Sequence, residues 1–422
     1  MIESIRTARL LFQLRRGARR TPEELRALQG ELLRSTVAHA NSQVPFYRRL
    51  WKSAGVDCEQ VRSTHDLNRL PIISSDQVRA AAESGELMAG SSDASNSPRF
   101  STSGSSGRPL LVPRGDVEAR LWRVGGLRMQ LEHGFRWSDT TVQFDPAPGP
   151  PHPLQSLGIA RTVWIPHELT LEQQLTHLTA ARAQVVLGNV SVLRRIARAL
   201  TERNVALATP KMVFSTAEVL DDDSRATIGA AFGVVPFDLY AMTETGFMSW
   251  QCEKRAALHV NSDLVFVEIL RGDIPALPGE LGRVVVTTLR ARTMPLLRYD
   301  TGDLATAAAG PCTCGRTFPT MGPIEGRARH AIRASDGRTL TQRTVMNRLA
   351  RTLRMGEYRL RRKSERAFLL ETTPRAFAAG VGATDAQRVL RELLGDVEIG
   401  LETIETLPGG LKTHAVVDDR AS

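Results

Sequence analysis

Apolar residues recur along this chain with two spacings, which predicts a mixture of strands and helices. Short apolar and β-branched runs in the middle of the chain predict strands at 141–144, 162–165, 183–187, 212–215 and 234–239. Between them, apolar residues at every third or fourth position predict helices at 171–182 and 192–202. Strands that alternate with helices are typical of an α/β core.

The N-terminal segment is predicted to be helical. Thr21 and Pro22 form a helix start signal, and leucines at helical spacing carry that helix to residue 41. A shorter helix is predicted at 75–88. Residues 1–20 fit a basic amphipathic helix, which could bind a membrane surface. We expect it to pack against its own domain, because such apolar stripes usually face a core.

The second half of the chain contains two segments with different predicted secondary structure. Residues 258–289 predict β structure, with a turn at Pro278-Gly279-Glu280. After Gly326, helices at 342–354 and 384–394 and strands at 368–372 and 397–403 predict a small α+β domain. We therefore expect an α/β protein with a large N-terminal domain at 1–327 and a small C-terminal domain at 328–422.

Composition narrows the class of protein. Hydrophobic residues make up 42% of the 422 residues, which is enough to bury substantial cores. The net charge of +10 is spread along the chain without a nucleic-acid-binding motif, which favours a small anionic substrate over nucleic acid. Four cysteines are too few for a disulfide scaffold, and no apolar run reaches the roughly 20 residues of a membrane span. We expect a cytoplasmic protein.

A loop rich in serine and glycine is a candidate phosphate site. It reads Ser101-Thr102-Ser103-Gly104-Ser105-Ser106-Gly107-Arg108-Pro109. Glycines let a backbone approach a ligand, and hydroxyls with successive N–H groups form a concave anion site. The loop lacks the Gly-Lys-Ser/Thr of a Walker A motif. A flexible linker would have the same composition.

Three further motifs offer charged side chains. Tyr240-Ala241-Met242-Thr243-Glu244-Thr245-Gly246 follows a predicted strand, and Glu244 could hold Mg²⁺; the alternative is a helix cap at Thr243. Asp303, in Arg298-Tyr299-Asp300-Thr301-Gly302-Asp303-Leu304, could bind two ribose hydroxyls or form an Asx-type turn. Arg327 lies where the two predicted domains meet, and could equally be an ordinary linker residue.

The order and spacing of these motifs resemble the adenylate-forming superfamily, in its phenylacetate–CoA ligase and CapK-like branch. Leu258-His259-Val260-Asn261 and Pro311-Cys312-Thr313-Cys314-Gly315-Arg316 resemble that branch in particular. The resemblance runs from Val44 to Lys412 and is strongest between Thr102 and Arg327. It implies a ligase that uses ATP to activate a carboxylic acid as its acyl-AMP, with a mobile C-terminal lid.

The resemblance also implies a role for each matched residue. The ATP phosphates would be wrapped by Thr102, Ser103, Gly104, Ser105, Ser106, Gly107 and Arg108. The adenine pocket would be lined by Ser215, Ala217, Glu218, Tyr240 and Met242. Thr243 would contact the α-phosphate, Glu244 would hold Mg²⁺, Asp303 would bind the ribose, and Arg327 would lie beside ribose and phosphate. Lys412 would bridge the carboxylate and the α-phosphate.

The chain departs from the family pattern at several positions. Arg108 replaces a lysine, and Ala241 and Leu411 replace glycines. The hinge, Gly326-Arg327-Ala328-Arg329-His330, lacks the usual acidic residue. Adenylation is therefore better supported than thioester formation. CoA is the expected acceptor, while transfer to an amine or carrier protein, or a non-catalytic nucleotide-binding relative, stays open. The acid is not identified, and a homodimer is allowed.

The cysteines suggest a metal site. Cys252, His259, Cys312 and Cys314 supply a Cys₃His set, which is an ordinary tetrahedral zinc set. Unlinked buried cysteines are the alternative. We expect a structural Zn²⁺ at these four residues, because a closed site leaves no position for catalysis.

Overall fold

The computed structural model describes residues 2–90, 97–102, 109–145, 155, 157–354, 356–377, 380–407 and 415–419. The chain forms two compact units. Unit 1 comprises Met1–Gly134 and Leu239–Pro323, and unit 2 comprises Phe135–Asp238 and Ile324–Ser422. A boundary between mobile domains at 327/328 stays a prediction.

The first segment of unit 1 is mainly helical. Its helices are α1 (Ile2–Gly17), α2 (Pro22–Gln43), α3 (Pro45–Ser53), α4 (Ser75–Glu83) and α5 (Asp116–Glu132), with short 3₁₀ turns at Cys58–Gln60 and Thr64–Arg69. An antiparallel hairpin of β1 (Arg99–Ser101) and β2 (Leu111–Pro113) precedes α5. Thr21 and Glu24 form a capping box that starts α2, as predicted. The helix predicted at 75–88 ends earlier, at Glu83.

Helix α1 packs against α5 of the same unit, in agreement with the expectation that it packs on its own domain. Leu14 is fully buried, and Nη1 of Arg128 on α5 donates to the Leu14 carbonyl at 3.1 Å. Phe12 is 63% exposed, so only one face of α1 is covered.

The first segment of unit 2 alternates strands and helices. Its elements are β3 (Thr141–Phe144), β4 (Thr162–Ile165), α6 (Leu171–Ala181), β5 (Val185–Asn189), α7 (Val190–Glu202), β6 (Met212–Thr216), α8 (Asp222–Phe232) and the start of β7 (Phe237–Met242). The strands pair in parallel in the order β4-β3-β5-β6-β7. This confirms the predicted α/β core.

The strand predicted at 234–239 was misplaced. It begins at Phe237 and continues to Met242. Gly233 ends α8 with φ +72°, and Pro236 has no N–H to donate to a strand ladder, so regular pairing starts only after it.

The second segment of unit 1 is β structure. After Leu239–Met242 of β7 it contains β8 (Gly246–Gln251), β9 (Leu258–Val260), β10 (Val265–Arg271), β11 (Ile274–Pro275), β12 (Leu281–Thr288), β13 (Tyr299–Ala307) and the start of β14 (Thr320–Arg327). Their order is β11-β10-β12-β13-β14-β9-β8-β7. The prediction of β structure at 258–289 is confirmed.

The C-terminal segment of unit 2 is the predicted α+β structure. It contains a 3₁₀ turn at Ala328–His330, then β15 (Ile332–Arg333), β16 (Thr339–Leu340), α9 (Gln342–Leu349), β17 (Tyr358–Arg362), β18 (Ala367–Thr372), α10 (Ala383–Leu394), β19 (Glu398–Thr403) and β20 (Val416–Asp418). Four strands pair in the order β19-β18-β17-β20. Within unit 2, Nη1 of Arg343 donates to the Leu220 carbonyl at 2.7 Å, so α9 contacts the loop that precedes α8.

No helix in the described part of the chain combines the length and apolar character that crossing a membrane requires.

Candidate active site

A buried hydrogen-bond cluster joins β7 to β13 in unit 1. The hydroxyl of Tyr240 donates to Oδ2 of Asp303 at 2.7 Å and lies 3.3 Å from Oγ1 of Thr301. Oγ1 of Thr301 accepts the backbone N–H of Asp303 at 3.1 Å and donates to the Val284 carbonyl at 2.9 Å. Tyr240 and Asp303 are both buried. Because hydrogen bonds to a carboxylate strengthen when water is excluded, Tyr240 and Thr301 fix the orientation of Asp303.

The same strand reaches Glu244. Side chains alternate along a strand, so Tyr299, Thr301 and Asp303 share the buried face of β13. The hydroxyl of buried Tyr299 donates to Oε1 of Glu244 at 3.1 Å. Sequence analysis did not single out Tyr299 and Thr301, although the two-residue period of a strand would have placed them with Asp303.

The Tyr240–Gly246 motif is a hairpin. Tyr240, Ala241 and Met242 belong to β7, and residues 243–245 form the turn to β8. The expectation that the motif begins after the strand is therefore wrong, and so is the alternative of a helix cap at Thr243. Sδ of Met242 lies 3.6 Å from the Tyr240 hydroxyl.

The Asx-type turn considered for Asp303 is made by another residue. Oδ1 of Asp300 accepts the backbone N–H of Gly302 at 2.9 Å, and Gly302 has φ +73°. Glycine takes this conformation without strain, which lets Asp303 continue along β13.

Thr102 closes the base of the candidate phosphate loop. Its N–H donates to the Leu110 carbonyl at 2.9 Å, and its Oγ1 accepts the Leu110 N–H at 2.8 Å. The remaining predicted loop residues, Ser103, Gly104, Ser105, Ser106, Gly107 and Arg108, lie outside the described residues, as does Lys412. Their predicted roles stay predictions.

Three predicted adenine-pocket residues lie near the C-terminal end of β6 in unit 2, Ser215 within the strand and Ala217 and Glu218 directly after it. Ser215 is fully buried, and its Oγ donates to the Phe237 carbonyl at 3.3 Å. Ala217 has φ +69°, which is unusual for a residue with a Cβ atom. Oε2 of Glu218 accepts the backbone N–H of Ser191 at 2.7 Å, in the first turn of α7, where the helix dipole favours a carboxylate. Glu218 thus orders the loop whether or not it contacts a ligand.

Arg327 is the last residue of β14 and is half-buried in unit 2. The preceding Gly326 has φ +116°, and a Cβ atom there would lie 2.6 Å from Cβ of Gln342. Only glycine fits at this position. The close approach of β14 to α9 therefore explains Gly326.

The four predicted metal ligands come together in unit 1. Their ligand atoms all lie within 4.8 Å of one another. Sγ of Cys252 and Sγ of Cys312 are 3.6 Å apart, and Sγ of Cys314 is 3.3 Å from Nε2 of His259. Ligands of tetrahedral zinc, at about 2.0–2.3 Å from the metal, lie about 3.5–3.8 Å from one another. Nδ1 of His259 is 3.4 Å from the Phe318 carbonyl, the kind of outer contact that orients a metal-binding imidazole.

Known proteins resemble this chain in sequence and in fold. No family model matches the chain. It is 30% identical to the phenylacetate-coenzyme A ligase of Thermus thermophilus over 322 residues, which cover 72% of this chain and 71% of the relative. It is also 30% identical to the protein CapK of Staphylococcus aureus over 135 residues, covering 32% of this chain and 28% of CapK.

The fold has solved counterparts. A structure of 2-hydroxyisobutyryl-CoA ligase, in the postadenylation state with R3-HIB-AMP, superposes with a TM-score of 0.78 and 20% identity, covering 95% of this chain and 90% of that one. At this identity the likeness establishes the fold alone. Sequence identity and coverage with the Thermus thermophilus relative establish the family: this chain belongs to the phenylacetate–coenzyme A ligase family, the branch of adenylate-forming enzymes that its motifs resemble.

Proposed function

We propose that this chain uses ATP to activate a carboxylic acid as its acyl adenylate and then transfers the acyl group to coenzyme A. The observation that carries the proposal is the extent of similarity to a named phenylacetate-coenzyme A ligase, 30% identity over 322 residues. The buried cluster around Asp303 supports it, because that cluster orients a carboxylate ready to accept hydrogen bonds.

Asp303 is the proposed ribose-binding residue. The Tyr240 hydroxyl occupies one side of its carboxylate through the bond to Oδ2. A carboxylate has about four lone-pair positions, so it can accept hydroxyl groups of a sugar in addition to Tyr240. Tyr240 would then both orient Asp303 and border the adenine.

Glu244 and Thr243 are the proposed residues at the triphosphate. Carboxylate and hydroxyl oxygens are hard donors of the kind that Mg²⁺ prefers, so this turn fits the ion. When bound, Mg²⁺ offsets the charge of the phosphate oxygens. The bond from Tyr299 holds the Glu244 carboxylate in one orientation.

The residues of this chain would promote adenylation by charge and position. A carboxylate oxygen must attack the α-phosphorus, and pyrophosphate must leave, although both partners are anionic. The Thr102–Arg108 loop would bind the phosphates, and Lys412 would place a cation between the acid and the α-phosphate. A lid that brings Lys412 to the site only with substrates bound would also exclude water.

The acceptor is proposed to be coenzyme A, with an amine or a carrier protein as the alternative. The specific observation behind the alternative is the substituted hinge, which lacks the acidic residue that the family normally has near Arg329 or His330. Buried His330 lies between two neighbours there, with Nδ1 3.4 Å from the Asp418 N–H and Nε2 3.3 Å from Nε of Arg329.

The Cys₃His cluster is proposed to hold a structural zinc ion. The spacing of its sulfur and nitrogen atoms supports this proposal. Cys252 directly follows β8, His259 lies on β9, and Cys312 and Cys314 lie in the loop before β14, so a zinc ion would connect these three segments. Four protein ligands would close the coordination sphere, so this metal would stabilise the fold and take no part in adenylation.

A panel of carboxylic acids, beginning with phenylacetate, tests the proposed function. Each acid is scored for acid-dependent exchange of labelled pyrophosphate into ATP, and then for CoA consumption. Exchange with CoA consumption supports the full proposal. Exchange without CoA consumption favours an amine or carrier acceptor, and the absence of exchange with every acid contradicts it.

A further inference from the structure

The side chain of Arg114 is held between two aromatic rings. It directly follows β2, in unit 1, and is only 9% exposed. Its Cζ lies 4.0 Å from the ring centroid of Phe100, on β1, and 3.8 Å from that of Trp122, on α5. A planar guanidinium stacks on aromatic faces in this way, and a lysine ammonium cannot reproduce the geometry.

The stacked guanidinium reaches the Thr243–Glu244 turn. Nη2 of Arg114 donates to the Thr243 carbonyl at 3.0 Å. At its other end, the backbone N–H of Arg114 donates to the Pro98 carbonyl at 2.9 Å, at the base of the β1–β2 hairpin. Arg114 therefore connects the hairpin that carries the candidate phosphate loop to the turn that carries Glu244.

The turn itself is tightly surrounded. Gly246 ends it with φ +82°, and a Cβ atom on Gly246 would lie 3.6 Å from the Trp122 ring. The Trp122 ring also packs on Phe247, with centroids 4.9 Å apart. Tyr299 donates to Glu244. Arg114 and Tyr299 thus constrain the turn at two points, the Thr243 carbonyl and the Glu244 carboxylate.

We propose that Arg114 is a positioning residue, which holds the Thr243–Glu244 turn at a fixed distance from the β1–β2 hairpin so that Glu244 is placed to contact the Mg²⁺ of a bound Mg²⁺–ATP. The inference rests on the proposed ATP-dependent function. It assigns Arg114 no contact with substrate: its effect passes through the Thr243 carbonyl. The planar fork and the ring stack are required, and positive charge alone is not sufficient.

Binding of ATP with and without Mg²⁺ tests the proposal and does not require the acid to be known. Dissociation constants are measured by calorimetry in Mg²⁺ and in EDTA. Arg114→Ala is expected to weaken Mg²⁺-dependent binding by about tenfold, since misplacing one group of a site has effects of this order or larger. Binding in EDTA should change little. Arg114→Lys should behave like Arg114→Ala.

Controls separate positioning from loss of fold. Arg271→Lys changes an arginine on an exposed hairpin, paired with Glu280, and should match the wild type. Phe100→Leu removes one face of the stack at a residue 36% exposed, and should shift Mg²⁺-dependent binding in the same direction as Arg114→Ala without changing the melting temperature. If Arg114→Ala does not fold, Phe100→Leu carries the test.

The outcomes distinguish this inference from the proposed function. If the wild type binds no ATP, both are overturned. If the wild type binds Mg²⁺-ATP and Arg114→Lys matches it, charge is sufficient and the positioning role is wrong. If Arg114→Ala weakens binding equally in EDTA, Arg114 is a direct phosphate ligand, which also overturns the inference. Unchanged binding by Phe100→Leu contradicts it as well.

Discussion

Tyr240 and Asp303 are hydrogen-bonded at 2.7 Å although they lie on strands that are not neighbours in the sheet of unit 1. The order β13-β14-β9-β8-β7 places three strands between them. At about 4.8 Å per strand, a flat sheet would separate β13 and β7 by about 19 Å. The bond therefore requires this sheet to curl strongly, and the curl creates the candidate nucleotide site.

Tyr240→Phe should weaken ATP binding and also lower the free energy of unfolding. It removes the hydroxyl that donates to the Asp303 carboxylate, and a hydrogen bond to a charged group contributes about 1.5–3 kcal/mol. We expect the KM for ATP to rise by about tenfold or more in the pyrophosphate-exchange assay. A wild-type KM in this variant would contradict the proposed role of the pair.

Tyr47→Phe is the matched control. The Tyr47 hydroxyl is also buried, donating to the Pro295 carbonyl at 3.1 Å and accepting the Leu297 N–H at 2.9 Å. Its loss should lower the free energy of unfolding by about 1–3 kcal/mol. The KM for ATP should not change, because Pro295 and Leu297, in the segment between β12 and β13, are not among the proposed nucleotide-binding residues.

Lys412→Ala should abolish adenylation without unfolding the chain. The prediction follows from family resemblance, since a cation is needed between two anionic reactants, and we expect at least about a 100-fold loss of exchange. Lys363→Ala is the control, because Lys363 is a partly exposed lysine of the same C-terminal segment that pairs with Asp419 at 2.9 Å. Equal activity of the two variants would contradict the role of Lys412.

The proposed metal site predicts the zinc content of the purified protein. Purified protein should contain about one zinc ion per chain, and Cys312→Ser should lose it together with several degrees of melting temperature. Cys58→Ser should retain both, because Cys58 lies outside the cluster. If wild-type protein is purified without metal, or melts at the same temperature after its metal is removed, the zinc proposal is wrong.

The pH dependence of stability should include a contribution from His167. Burial lowers the pKa of His167 below its ordinary value, although the Phe144 carbonyl and Asp145 act in the opposite direction. Below about pH 6.5 the unfolded chain takes up a proton that the folded chain resists, so stability falls as the pH drops toward the folded pKa.

Urea unfolding of His167→Asn measures this contribution. The variant should lose less stability than the wild type between about pH 7.5 and about pH 5.5, by at most about 1.4 kcal/mol per pH unit. The variant should keep part of the pH dependence of stability, because burial also lowers the pKa of His133. If the variant loses more stability than the wild type as the pH falls, the predicted direction of the effect is wrong.

Sequence reasoning located elements better than the contacts between them. Short apolar and β-branched runs placed β3 and β4 correctly, and apolar residues at helical spacing placed α6. The strand at 234–239 failed because its apolar residues include Val235, which is exposed, and Pro236, which cannot pair.

In the candidate site, too, the sequence predicted residues better than the contacts between them. Motif order led to the predictions for Tyr240, Glu244 and Asp303, of which the structure joins Tyr240 to Asp303. The cysteines led to the prediction of four metal ligands, and the structure brings their ligand atoms within 4.8 Å of one another. The bond from Tyr299 to Glu244 and the stack around Arg114 depend on sheet curvature and helix packing between distant segments. No local pattern encodes those distances.

Acid-dependent pyrophosphate exchange by the wild type and by Glu244→Gln tests the central claim most directly. The account predicts that at least one carboxylic acid supports exchange, and that Glu244→Gln, which retains the size and an acceptor for Tyr299, loses about 100-fold or more of it. Folded wild-type protein that exchanges no pyrophosphate with any acid, or a Glu244→Gln variant as active as the wild type, would contradict the account.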